Sequence, residues 1–217
     1  MRNRFVTFLF PALVAALLIG CGGSSSVATS GPVVPSGLTY TDPAGSGWRL
    51  VKDASSTPTR LVLNLVGPSG LKCRGVGFNL KAAGALRFVA LGNGLHAVDR
   101  GVFELKNVAP DPLNPPPSPE PVLFATGVKP GNMLTLGLFQ KDRRATAKAV
   151  DAPVLTIAVD LDPARASALA VGSTVALDIT KARIIPEDIG SVGSMVDMMA
   201  KAQMVDIQIA VGGVTLN

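Results

Sequence analysis

The strongest constraint on this chain is a period of two in its apolar residues. In Arg60–Val66, Leu61, Leu63 and Leu65 fall on one side, with Arg60 and Asn64 on the other. Arg74–Lys81 repeats the pattern, with Val76, Phe78 and Leu80 inward and Arg74, Asn79 and Lys81 outward. Leu134, Leu136 and Leu138 share a face in Met133–Gln140, as do Leu155, Ile157, Val159 and Leu161 in Val154–Leu161. Val175, Leu177 and Ile179 do the same in Thr174–Ile179, and Val205, Ile207, Ile209 and Val211 in the final run. Successive strand side chains point to opposite faces, so each run reads as a strand with one buried face.

Trp48–Val51, Leu86–Leu91, Val102–Val108 and Val122–Thr126 complete the set. A βαβ architecture would need helical stretches of about 10–15 residues between strands, and none is present. The expectation is an all-β fold, a two-sheet antiparallel β-sandwich of about nine strands with one short helix near the C-terminal end. That helix is placed in Pro186–Gln203, where Ile189, Val192, Val196 and Met199 recur at helical spacing despite Gly190 and Gly193. A further helical turn is expected after Asp162-Pro163, with Asp162 as N-cap. Gly67-Pro68-Ser69-Gly70 reads as a turn, making Leu61–Val66 and Arg74–Lys81 candidate antiparallel neighbours. The dense proline run at 109–121 favours extended backbone and is expected as a long surface loop.

The N-terminal corner has a different grammar. Arg2 and Arg4 precede an uncharged run, Phe5–Ile19, of 15 residues. A spanning helix needs about 20, and Pro11 interrupts this run, so residues 1–20 read as a signal peptide rather than a membrane span. Leu18-Ile19-Gly20-Cys21 resembles the lipobox of bacterial lipoproteins. The resemblance implies cleavage before Cys21, lipid on its sulfur and acylation of the freed amine. Several acyl chains give stable anchoring where one is marginal. Gly22 in place of Asp points, by the same family's sorting rule, to the outer membrane. Residues 21–37, rich in Gly, Ser and Pro after the lipidated cysteine, read as a flexible tether, and 38–217 as one sandwich domain.

Charge excludes some functions. The chain carries +5, and loss of Arg2 and Arg4 leaves 5 − 2 = +3. Without a Lys/Arg cluster interleaved with aromatics, nothing points to nucleic acid; Lys141, Arg143 and Arg144 read as a solvated loop. With Cys21 lipidated, Cys73 is the single remaining cysteine, so no intramolecular disulfide is expected. Cys73 reads as a small apolar residue.

The catalytic inventory is thin. His96 is the only histidine, and any Ser-His-Asp or Cys-His arrangement must use it, with Asp99 the nearby acid. No Gly-x-Ser-x-Gly elbow is present, and a solvent-facing loop histidine is the plainer reading. Asp160 and Asp162 flank Leu161 and would project to one side of a strand, which makes them weak calcium candidates. Their same-side placement lacks the facing geometry of a glycosidase pair. Trp48 and Tyr40 are the only residues of their types, a poor supply of sugar-binding platforms. Gly75-Val76-Gly77 and Gly92-Asn93-Gly94 lack the strand–turn–helix setting of a nucleotide site. The methionines Met195, Met198, Met199 and Met204 read as an apolar cap rather than copper ligands. Nothing calls for a cofactor.

The order RLVLNLVGPSGLKCRGVGFNLKA, a long loop, VLFATGVKPGNMLTLGLFQ, then APVLTIAVDL and GSTVALDITKARI resembles a cohesin-like domain across most of residues 60–184. That family shares a jelly-roll sandwich with some carbohydrate-binding modules, and its members bind dockerins, mostly through one sheet face. The resemblance rests on pattern and fixes no binding residue. The expected function is therefore a lipid-anchored, non-catalytic protein-interaction or structural module of the cell envelope. Its expected partners are membrane lipid, through acylated Cys21, and a protein. The alternative is a carbohydrate-binding lipoprotein, and further off stands a hydrolase using His96.

Overall fold

The structure, a computed structural model, describes residues 33–91, 94–103, 122–125, 128–140, 146–187 and 204–217. The strands in chain order are β1 (Leu38–Thr41), β2 (Trp48–Lys52), β3 (Arg60–Val66), β4 (Lys72–Ala82), β5 (Leu86–Phe88), β6 (Ala97–Asp99), β7 (Val122–Ala125) and β8 (Met133–Phe139). They continue with β9 (Lys148–Ala149), β10 (Leu155–Leu161), β11 (Thr174–Val175), β12 (Leu177–Pro186), β13 (Val205–Asp206), β14 (Ile209–Ala210) and β15 (Gly213–Leu216). A single helical turn, α1 (Pro163–Ala166), follows β10.

Two six-stranded sheets face each other. One runs β14-β2-β3-β10-β5, with β6 also on β10; the other runs β13-β12-β4-β8-β7, with β9 also on β4. A small sheet, β1-β15-β11, closes the same core. Leu61, Leu63 and Leu65 meet Leu155, Ile157 and Val159 from one sheet, and Val76, Phe78, Leu80, Leu134, Leu136 and Leu138 from the other, all buried. Burial of such side chains is worth about 1.5–3 kcal/mol each, and these two facing rows are the main driving force for the sandwich. The all-β expectation holds, and the alternation assigned the inward residues of β3, β4, β8 and β10 correctly.

Pairing departs from the expectation. β3 and β4 are not neighbours. β3 pairs with β2 and β10, while β4 pairs with β12 and β8. Gly67–Gly70 carries the chain across the roughly 10 Å between sheets, and Gly67 N–H donates to Val150 O as it crosses. Hydrophobic period sets which face of a strand is buried; it does not choose the partner.

The final run is likewise not one strand. β13 pairs antiparallel with β12, whereas β14 pairs parallel with β2, so the chain changes sheets at Ile207, whose N–H bonds Ala182 O. Thr174–Ile179 breaks at Ala176 into β11 and β12. Asp99, read as a loop residue, ends β6, where Ala97 is small enough to sit fully buried opposite Ile157. Val102 and Phe103 are turn residues, not strand, and Phe103 is buried; the rest of that expected strand lies outside the described residues. So do the signal segment, Cys21, most of the tether, the Pro-rich run, Lys141, Arg143 and Arg144, and residues 188–203 with the expected helix and three of its methionines.

Ser36 and Gly37, placed in the tether by sequence, both donate backbone N–H groups to Asn217 O, and Leu38 N–H bonds Pro58 O. Among the described residues no helix is long and apolar enough to cross a membrane.

Candidate functional site

The two large sheets present very different outer faces. On the β3/β10 side the face is closed on itself. Asp160, on β10, lies between Arg60 of β3 and Arg87 of β5, its cross-strand partners on either side. Arg60 donates to both carboxylate oxygens, at 2.7 and 3.0 Å, and Arg87 Nη2 approaches to 3.6 Å. Two same-face positions along β10, Thr156 donates its hydroxyl to Asn64 Oδ1 at 2.6 Å, and Asn64 Nδ2 donates to Asp53 Oδ2 at 2.6 Å. Polar groups here find their partners within the chain, which leaves little unpaired capacity for a ligand.

The outer face of β12-β4-β8 is of another kind. On β4 and β8, Gly75 opposes Phe139 and Gly77 opposes Gly137. The Phe139 ring lies down over this patch. A Cβ on Gly75 would clash with the ring and with Leu138 O, one on Gly77 would come within 3.0 Å of ring Cζ, and one on Gly137 within 2.6 Å of Cε2. Three glycines on adjacent strands thus form a shallow bed for one aromatic ring, which covers backbone that side chains would otherwise shield. Of the Phe, Tyr and Trp side chains described, Phe139 is the one not buried. Met133, Thr135 and Ile185 sit part-exposed on the same face, with Lys81 and Asp178 further along it toward one end and Arg183 on β12 cross-strand from Gly77. Among the described residues this face is apolar around Phe139 and Ile185.

The residues singled out in the sequence fall elsewhere. Cys73 is fully buried on β4, and burial pushes its thiol up to about 11, against its Gly75 backbone hydrogen bond. A thiol so placed is inert. His96 is half-buried just before β6 in the opposite sheet, and Asp99 Oδ1 accepts the Gly101 N–H at 3.0 Å. Cys73 and His96 therefore belong to different sheets. Asp162 precedes α1 as N-cap without a side-chain capping bond and instead meets Arg165 Nε at 3.5 Å. A calcium ion at Asp160 and Asp162 would have to displace Arg60 and Arg87 from the first carboxylate. Among the described residues no three metal-ligating side chains cluster. Tyr40 and Trp48 are both buried, so neither is a sugar platform.

Sequence reasoning missed the Phe139 patch, yet its signal was present. Gly75-Val76-Gly77 sits inside a strand pattern, and a glycine in a strand interior marks close approach of another group.

No family model matches the sequence, and no curated protein matches it. Among solved structures, the chain is similar to the CaDoc0917–CaCohA2 complex at pH 5.5, with a TM-score of 0.50 and 7% identity over 79% of this chain and 99% of that one. It is also similar to a type II cohesin domain from the cellulosome of Acetivibrio cellulolyticus, with a TM-score of 0.48 and 11% identity over 79% and 95%. The sixth cohesin of scaffoldin B of Acetivibrio cellulolyticus, solved in complex with a Cel5 dockerin mutant, gives 0.47 and 13% over 79% and 99%. At such identities the likeness is one of fold: this chain is an all-β sandwich of cohesin-like architecture.

Proposed function

We propose that this chain is a non-catalytic protein-interaction module, displayed from the outer membrane of a cell envelope by lipid on Cys21. The observation that carries the interaction reading is the Phe139 ring on its bed of Gly75, Gly77 and Gly137. That surface carries an aromatic ring over glycine, while the opposite outer face satisfies its own polar groups. Exposed apolar patches suit proteins better than small molecules, which favour concave pockets. The fold likeness supports the same reading, since the CaDoc0917–CaCohA2 structure is of a complex. The anchor rests on Leu18-Ile19-Gly20-Cys21 and the charge-free run before it.

A pull-down from envelope extracts tests the interface. The wild-type chain is expected to retain a protein that Phe139→Glu loses, with both chains melting alike. Retention of glycans and of no protein would replace this reading with the carbohydrate-binding one. For the anchor, Cys21→Ser should give unprocessed or soluble protein. An unchanged membrane fraction with an unchanged lipid mass would refute it.

A further inference from the structure

One end of the sandwich, reached by the interaction face only at Lys81, gathers a second set of features. A chain of hydrogen bonds defines it. Leu38 N–H bonds Pro58 O at 2.6 Å, Leu161 N–H bonds Thr59 O at 2.9 Å, and Asp162 N–H bonds Ala85 O at 2.8 Å. Asn132 Nδ2 then donates to Leu86 O at 2.8 Å. This path leads from the point where the tether joins the fold, across α1, to the turn between β7 and β8.

The Asn132 amide also reaches Ala82 O and Ala83 O, at 3.0 and 3.3 Å, and Ala82 N–H returns a bond to Asn132 O. The β4–β5 and β7–β8 turns are thereby clipped together. Between them and α1 lies an open groove of about 650 Å³ lined by Lys81, Lys129 and Arg165. Among the described residues neither lysine makes an ion pair. Asp178 lies cross-strand from Lys81, and Asp162 meets Arg165.

Apolar exposure is concentrated at the same end. Of seven large hydrophobic residues that are exposed among those described, five lie here: Val33 and Val34 at the end of the expected tether, Val128 in the groove, and Leu169 and Val171 after α1. The Leu169–Val171 loop is tied to the end by Gly172 N–H on Leu216 O. Cations interspersed with exposed aliphatic side chains suit an interface where acyl boundary and anionic headgroups meet.

We propose that this end is a membrane-contact surface. Lys81, Lys129 and Arg165 engage anionic lipid headgroups while Val128, Leu169 and Val171 enter the headgroup boundary. The proposal rests on the anchored reading above and adds orientation to it. With this end down, the Phe139 face stands upright, clear of the bilayer, and open to a partner.

The test uses the full-length, lipidated chain carrying Leu169→Cys, labelled with an environment-sensitive dye; buried Cys73 stays unlabelled. It is reconstituted on vesicles of phosphatidylcholine alone and of phosphatidylcholine with phosphatidylglycerol. The dye emission should shift to the blue only on the anionic vesicles. Lys129→Gln should lower the shifted population about five-fold, from the typical worth of one cation at an anionic surface. Lys81→Glu combined with Lys129→Glu and Arg165→Glu should abolish the shift while the chain stays in the vesicle fraction. Identical emission on both vesicles would overturn the proposal. A shift produced by soluble polyglutamate, and not by phosphatidylglycerol, would reassign the surface to an acidic protein segment and overturn it too. Loss of the chain from the vesicle fraction would mark failure of the anchor, and the surface that depends on it would fall with it.

Discussion

Asn64 Nδ2 donates to Asp53 Oδ2 at 2.6 Å, joining a buried cross-strand pair to the β2–β3 loop. Asp53 Oδ1 accepts both the hydroxyl and the backbone N–H of Ser55, at 2.6 and 2.9 Å. Every one of these bonds favours the charged carboxylate. Those from Ser55, first the side chain and then the backbone, hold Asp53 down to about 2, with Asn64 adding to them.

A depressed folded-state value means stability that is present above the unfolded value, near 4, and lost as pH falls toward 2. The group is well hydrated, so screening discounts the effect to about 1 kcal/mol or less. The urea midpoint should therefore fall between pH 4 and pH 2, and Asp53→Asn should flatten part of that fall while lowering the midpoint at pH 7. Parallel acid limbs for the two chains would show that Asp53 contributes nothing.

Tyr40 gives the opposite limb. Its hydroxyl donates to Leu50 O at 2.9 Å and accepts the Gly212 N–H at 2.8 Å, tying the small sheet to β2. Burial pushes its ionisation up to about 12, opposed by the Gly212 bond and helped by Asp42. A raised value contributes stability below pH 10 that is lost as pH rises toward 12. Tyr40→Phe leaves a buried carbonyl and N–H without their partner, so it should cost about 1–3 kcal/mol at pH 7. The same variant should lose stability less steeply above pH 10, as read from denaturant midpoints against pH.

The glycine bed allows a ranking. A methyl on Gly75 would lie 2.8 Å from Leu138 O, a backbone atom that cannot swing away. On Gly77 the nearest approach is 3.0 Å, to the tip of the Phe139 ring, which can move. Gly75→Ala should therefore destabilise by about 1–3 kcal/mol, and Gly77→Ala by less. Partner capture should fall for Gly77→Ala as well, because the ring is displaced from its plane. Equal midpoints for the two variants would show that the Leu138 backbone gives way as readily as the ring.

The sequence made the buried faces legible because alternation is local, and Leu61, Leu63 and Leu65 are where it puts them. It did not reveal that β3 and β4 occupy different sheets, since four turn residues serve a hairpin or a crossing equally well. Asn64 was read as outward, and it is; its burial depends on Thr156, 92 positions away, and on Asp53. The Phe139 patch depends on residues 62 positions apart, Gly75 and Gly137. Such long-range placements emerge only when strand partners are known.

Asn132 separates backbone strain from side-chain clamping. Its φ of 55° lies in the left-handed region, where Asn is tolerated better than other non-glycine residues. Its amide meanwhile holds Ala82 O, Ala83 O and Leu86 O. Asn132→Gly keeps the backbone geometry and removes the clamp. Asn132→Ala removes the clamp and adds strain of about 1 kcal/mol. Both should be destabilised by about 1–3 kcal/mol for the side-chain bonds lost to Ala82 O and Leu86 O, with the alanine variant lower by that further increment. Hydrogen exchange should report the loss locally, at the Ala83 and Leu86 amides, which bond Ala176 O and Ala83 O. Unchanged protection at those amides in Asn132→Gly would show that the two turns hold their places without the asparagine.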